Sequence, residues 1–234
     1  SVPIFASLSD RFGRKPFFLL GAILFVLASA LCGAAGTLHA LPFDGMGQLI
    51  AFRGLQGIGA GIVMGLLFTI LGDIFSPLER GRYQGLFAGL WGIASILGPT
   101  LGGWITDNWS WRACFYVNLP VGAVAVAAIY FEFPYLKPRP SKHQLDWGGF
   151  ATLIGCVVPL LLALTWATDL GWTSGRVVSL LVFSAAMLVG FLVNESRVAE
   201  PIIPLTLFRH PVIALCSAMS FMLGIGMFGV IIYL

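Results

Sequence analysis

Residues 53 to 73 read RGLQGIGAGIVMGLLFTILGD, with Arg53 and Asp73 bracketing nineteen uncharged, glycine-rich residues, 54 to 72. At about 1.5 Å of rise per residue, a helix of that length covers the roughly 30 Å hydrocarbon core of a bilayer. The stretch reads as a membrane-crossing helix whose first turn carries Arg53 and Gln56. A guanidinium in or near hydrocarbon costs about 2.5 to 3.5 kcal/mol even on the lenient insertion scale. Arg53 is therefore expected to face water, a partner charge or a substrate path.

The rest of the composition agrees. Of 234 residues, 58% are hydrophobic and 10% charged, and mean hydropathy is +0.93, whereas soluble domains carry about 25% charged residues. The fold class is all-α, a polytopic membrane protein. A net charge of +3 is too small to point to nucleic acid as a partner; the lipid bilayer is the expected surroundings. Cys32, Cys114, Cys156 and Cys216 share no metal-binding or redox spacing and read as small packing residues. His39, His143 and His210 fall in loops or at helix ends without ligand spacing, so no metal is expected. With no initiator Met and an apolar run at each end, the chain is expected to be a fragment of a longer protein.

Cutting at charged residues leaves seven windows long enough to span: 16–43, 54–72, 83–106, 113–131, 147–168, 177–194 and 211–234. Seven spans alternate sides, so the distribution of basic residues tests the count. Arg11, Arg14, Lys15, Arg80, Arg82, Lys137, Arg139, Lys142, Arg197 and Arg209 collect on one side, ten of the thirteen basic residues. That side is assigned to the cytoplasm, in a multi-pass plasma-membrane protein, or the inner membrane of a bacterium. The proline-rich, basic segment 134–147 reads as a cytoplasmic linker, and 196–210 as a second cytoplasmic loop.

Four short patterns carry more than hydropathy. SLSDRFGRK, residues 7 to 15, is a tight basic turn in which Gly13 permits reversal. In the opening stretch, Arg53, Gln56 and Gly57 share one helix face, and Gly57, Gly61 and Gly65 form a small-residue groove for a neighbouring helix. GLFAGLWGIASILGPTLGGWI, residues 85 to 105, carries a stripe of small residues with a proline bend at Pro99. WSWRACFYVNLP, residues 109 to 120, places two tryptophans at an interface, where anchoring is sufficient to explain them.

In this order the patterns resemble signatures of the major facilitator superfamily. D-R-x-G-R-K at 10–15 is similar to its cytoplasmic loop signature, with Ala6 where the leading Gly would stand. R-x-x-Q-G-x-G at 53–59 and G-P-x-x-G-G at 98–103 resemble two more, the last found in its exporters. The resemblance implies that Asp10, Arg14 and Asp73 form a cytoplasmic charge latch, and that Arg53 and Gln56 serve substrate binding or proton coupling. Gly57, Gly61, Gly65, Gly98, Pro99, Gly102 and Gly103 would serve packing and conformational change. Two spans inserted after a short linker resemble the fourteen-span drug:proton antiporters. The chain then divides into a partial N-terminal bundle at 1–133, the linker at 134–147, two additional spans at 148–195, a loop at 196–210, and the first span of a C-terminal bundle at 211–234.

The expectation is a secondary active transporter, a proton-coupled antiporter exporting amphipathic drugs or toxic compounds by alternating access. Its partners are a small-molecule substrate and protons; no cofactor is expected, and oligomeric state is left open. The alternatives are a single-metabolite transporter for a sugar, amino acid or siderophore, and a non-transporting sensor or truncated product. No nucleophile, base or metal cluster is assembled, so an enzyme is not expected. No carboxylate lies well inside a span, which leaves Asp44 and Asp107 at the margins as visible proton-carrying candidates.

Overall fold

The computed structural model describes residues 5, 8–9, 13–37, 44–133, 146–198, 202 and 205–233. It is helical, with no strand among the described residues. Two compact units divide the chain, residues 1–142 and 143–234. The first holds α1 (Arg14–Gly33), α2 (Gly45–Ile74), α3 (Pro77–Asn108), α4 (Ala113–Tyr116) and α5 (Asn118–Glu132). The second holds α6 (Trp147–Leu170), α7 (Gly175–Arg197), a 3-10 turn (Leu205–Arg209) and α8 (Pro211–Tyr233).

Charge-bounded windows understate two of these helices. Asp44 caps α2 by accepting from the Gly47 N–H at 2.9 Å, so the helix begins at Gly45 and runs 30 residues. Arg53 therefore lies more than two turns inside it, not in its first turn, roughly 12 Å from its start. Helix α3 likewise runs 32 residues, opened by the Glu79 carboxylate, which accepts from the Ser76 N–H at 3.1 Å and the Ser76 hydroxyl at 2.7 Å. The window at 113–131 is interrupted at Val117. Pro120 has no N–H for the Tyr116 carbonyl four residues back, which accounts for the break. Among the described residues six segments are long and apolar enough to cross a membrane, with α4 and α5 counted together; α8 contributes a shorter apolar stretch, Pro211–Gly226. Seven spans were expected from the windows.

In the first unit α1 is the central helix, running antiparallel to both α2 and α5. Against α2, the closest approach is at Gly59, where an added Cβ would lie 2.6 Å from the Phe25 nitrogen and 2.9 Å from the Gly21 carbonyl oxygen. A Cβ on Gly21 would lie 2.6 Å from Ile62 Cγ2. Two glycines thus let two backbones meet, the small-residue contact by which helices associate when lipid offers no hydrophobic driving force. Ile62, Leu66 and Ile70 are buried beside it, with Phe17, Phe18, Leu24 and Phe133 packed around them. Against α5, Gly122 receives Val26, and the Lys15 ammonium donates to the Phe133 carbonyl at 2.9 Å, occupying an orphan acceptor at the end of α5. Helix α3 buries none of its residues against the rest of the unit.

The second unit is built on the α6–α7 hairpin. Gly171, at φ 79, ends α6 in a conformation that favours glycine. Ala163, Ala167 and Val177 are buried near the turn. Midway, the Ser184 hydroxyl donates to the Cys156 carbonyl at 2.7 Å, and Met187 lies over Gly155. At the far end Asp146 accepts from the Gly149 N–H at 2.8 Å and from Asn194 Nδ2 at 2.7 Å, so one carboxylate both caps α6 and ties it to α7.

The Gly59 contact is a test of this packing. Gly59→Ala in the full-length protein is expected to destabilise it by about 1 to 3 kcal/mol, read as a lower melting temperature in detergent. Gly57→Ala, where an added Cβ meets nothing within 4 Å, is expected to stay within about 0.5 kcal/mol of the parent. Equal losses at both positions would show that the Gly21–Gly59 approach does not hold the pair together.

Candidate functional site

Polar side chains on α2 recur along its length, and each has a partner on its own or a neighbouring element. Nearest the start, the Gln48 side-chain oxygen accepts from the Gly36 N–H at 3.0 Å. This occupies a backbone donor in the turn after α1, where Gly36 has φ 83. Gln48 is buried, at 4% exposure.

About a turn and a half further on, Arg53 Nη1 donates to Gln56 Oε1 at 2.7 Å. The pair is one i, i+3 step on α2, which brings side chains to the same face. Gln56 is 3% exposed, and the Cys32 thiol on α1 reaches the same Oε1 at 3.9 Å. The Arg53 guanidinium carbon lies 5.9 Å from the centroid of the Phe115 ring on α4. Among the described residues no carboxylate stands within ion-pair distance of Arg53. Its charge is held by a carbonyl oxygen and an aromatic face, both of which orient a cation without neutralising it.

At the other end of α2, Arg14 Nε donates to Asp73 Oδ2 at 3.0 Å. Arg14 Nη1 donates to the Ser9 hydroxyl at 2.7 Å, and Arg14 is buried, at 7% exposure. The α1 start, the α2 end and the preceding segment are tied at one guanidinium, whose planar fork suits several acceptors at once. Arg80 closes the same end of α2, donating to the Phe75 carbonyl at 2.9 Å and to the Gly72 carbonyl. A cation is favoured there by the helix dipole.

The sequence-derived site residues fall into these groups unevenly. Arg14 with Asp73, and Arg53 with Gln56, are brought together. Asp10 lies outside the described residues. Asp44, a candidate proton carrier from sequence, serves as the α2 cap. The close approach to α1 falls on Gly59; an added Cβ on Gly57 meets nothing within 4 Å, and Gly65 is half-buried, its carbonyl accepting from Thr69 Oγ1. Gly98, Gly102 and Gly103 on α3 also face open space among the described residues, and Pro99 lies inside that helix.

Several residues were not singled out from sequence. Arg112 Nη2 donates to the Ala35 carbonyl at 3.0 Å, and its guanidinium carbon lies 4.7 Å from the Trp111 ring centroid. Ser29, fully buried, donates to the Phe115 carbonyl at 2.9 Å while Asn118 Nδ2 donates to its hydroxyl at 3.0 Å. The stretch 109–120 thus clamps α1. A basic residue and an asparagine flanking an apolar turn were the available signal, but only tertiary structure supplies their acceptors. An apolar cleft of about 340 Å³ opens between α1, α2 and α5, bordered by Phe25, Val63, Met64 and Val121. None of its described lining residues is charged.

Long apolar helices make this a polytopic membrane protein, with a part-buried ion pair at one end of α2 and Arg53 inside it. The model of the family described as Major Facilitator Superfamily matches residues 1–234, and the chain belongs to the major facilitator superfamily. It is 39% identical over 233 residues to Multidrug transporter protein MdtP of Bacillus subtilis strain 168, covering 99% of this chain and 41% of that protein. It is 39% identical over 230 residues to Multidrug resistance protein 3 of the same organism, covering 95% and 42%. Against Efflux pump dotC of Dothistroma septosporum strain NZE10 it is 38% identical over 216 residues, covering 90% and 36%. The chain spans about two fifths of the length of these curated relatives.

Removing either member of the Arg14–Asp73 pair tests its energetic weight. Arg14→Ala removes the donor that Asp73 and Ser9 share and is expected to cost about 1.5 to 3 kcal/mol, the range for hydrogen bonds to a charged group. Asp73→Asn keeps one acceptor oxygen and is expected to cost about 1 kcal/mol. Thermal unfolding of the full-length protein in detergent reads both; an Arg14→Ala variant with the parental melting temperature would remove the pair from the stabilising interactions.

Proposed function

We propose that the protein containing this chain is a proton-coupled antiporter of the plasma membrane that expels amphipathic compounds by alternating access. The observation that carries the proposal is the 39% identity to Multidrug transporter protein MdtP along 99% of the chain. The names of the two other relatives, a multidrug resistance protein and an efflux pump, support the same direction. In this reading residues 1–133 belong to an N-terminal bundle, 134–147 to a linker, 148–195 to two additional spans, 196–210 to a loop, and 211–234 to the first span of a C-terminal bundle.

Arg53, held by Gln56, is the coupling charge. A fixed cation lowers the proton affinity of a nearby carboxylate and yields to substrate charge, so proton and substrate compete through one electrostatic field. Arg14, Asp73 and Asp10 are the latch: a charge cluster across helices is made in one conformer and parted in the other, giving the bistable element that alternating access requires. On α3, Gly98, Pro99, Gly102 and Gly103 provide a small-residue, bendable face for a moving helix–helix contact, and Gly57, Gly61 and Gly65 do the same on α2.

Cells expressing the full-length protein are expected to extrude cationic amphipathic dyes, and a protonophore is expected to abolish the extrusion. Arg53→Gln is expected to reduce gradient-driven efflux by about tenfold, the factor that one pKa unit on a coupled carboxylate carries. Extrusion that persists with the gradient collapsed would sink the proton coupling. Parental efflux in Arg53→Gln would take the coupling role away from Arg53 alone.

A further inference from the structure

We propose that Phe115 is a positioning residue for Arg53: its ring, carried on the short helix α4, holds the guanidinium in one place without neutralising it. The proposal rests on the reading of Arg53 as the coupling charge. The ring lies 5.9 Å from the guanidinium carbon of a cation already bonded to Gln56 on its own helix. An aromatic face attracts a cation through its quadrupole and leaves the net charge intact. A carboxylate in the same place would fix Arg53 equally well and cancel its field. A coupling charge has to be both fixed and uncancelled, and this arrangement supplies both.

The ring is itself held from three directions. Trp111 meets Phe115 edge-on, with centroids 6.1 Å apart and planes at 87°. Trp111 in turn lies under the Arg112 guanidinium, which donates to the Ala35 carbonyl. Below the ring, the Phe115 carbonyl accepts from Ser29, and the ring packs against the buried cluster of Cys32, Ala35 and Phe52. Helix α4 has only four residues and no stability of its own; these contacts place it on the end of α1. Among the described residues, the titratable and charged groups facing the Arg53–Phe115 contact from the packed elements are Cys32 on α1 and Arg112 at the start of α4. Neither is an anion in its ordinary protonation state, so neither competes for the guanidinium.

The test uses the full-length protein in proteoliposomes, comparing efflux driven by a pH gradient with substrate exchange in its absence. Phe115→Leu is expected to lose two- to fivefold of the gradient-driven rate, about the factor one cation–ring contact carries, and to keep the exchange rate. Phe115→Tyr, which keeps the ring, is expected to match the parent, and adding Phe115→Leu to Arg53→Gln is expected to lose nothing further. Parental coupling in Phe115→Leu, equal impairment in Phe115→Tyr, or an additive loss in the double variant would each overturn the proposal. Phe115→Met is the second ring-free variant; if neither it nor Phe115→Leu assembles while Phe115→Tyr does, the ring is a packing group and the proposal fails. A readout independent of transport is the indole emission of Phe115→Trp, expected to shift when Arg53→Gln is added. An unchanged spectrum overturns the positioning even where Arg53→Gln abolishes coupling, whereas a shifted spectrum with unchanged coupling overturns only the role given to Arg53.

Discussion

The first unit depends on the approach of two backbones at Gly21 and Gly59. In a bilayer, apolar side chains gain nothing by leaving lipid for one another, so helices associate through van der Waals contact and internal hydrogen bonds. Close contact requires positions without a Cβ, and here an alanine at Gly59 would press on the Phe25 nitrogen itself. Once those positions meet, antiparallel register follows along both helices. Arg14 faces Asp73 at one end, Cys32 faces Gln56 beyond the crossing, and Gly36 meets Gln48 at the other end. One steric allowance aligns the polar pairs, and a slip of one residue would rotate α2 by about 100° and part all of them.

Those pairs divide by what they do to charge. Arg14 and Asp73 neutralise one another, the guanidinium buried and the carboxylate partly open to solvent. Arg53 is treated differently: Gln56 and Phe115 orient it and leave its charge whole. The cancelled pair suits a closure that is made and broken, and the retained charge suits a field that acts on something else. Asp73 and Arg53 both stand on α2, so rigid movement of that helix would carry the two together.

Hydropathy made the helices and the membrane class legible, because a bilayer imposes a length on apolar runs and little else in the chain competes with that signal. Its edges misplaced α2, since a charge was taken as a boundary and Arg53 turned out to lie inside the helix. The patterns at 10–15 and 53–59 located the two charged groups. Their partners were harder to read. Glycine spacing of four drew attention to Gly57, Gly61 and Gly65, but spacing describes one helix and contact needs two; Gly59 is chosen by where Gly21 lies on α1. Gln48, Ser29 and Arg112 were passed over for the same reason, as each is an unremarkable polar residue until its acceptor or donor arrives from far along the chain.

Helix α3 shows how a face can be left free to move. Its glycines meet nothing among the described residues, and its hydroxyls bond first within the helix, with Thr106 also meeting the Cys114 thiol at 3.4 Å. Ser95 donates to the Trp91 carbonyl, Thr100 to the Ile96 carbonyl and Thr106 to the Gly102 carbonyl, each one turn back on the same helix. In hydrocarbon an unsatisfied hydroxyl would bind a helix to whatever acceptor it found. Satisfied internally, Ser95 and Thr100 add shape without directional bonds to a neighbour, and back-bonding of this kind also eases helix bending next to Pro99. A surface of glycine, proline and self-satisfied hydroxyls can therefore pack closely in more than one register with little difference in energy. That is the property a moving contact needs, and the Arg14–Asp73 pair, directional and charged, has the opposite one.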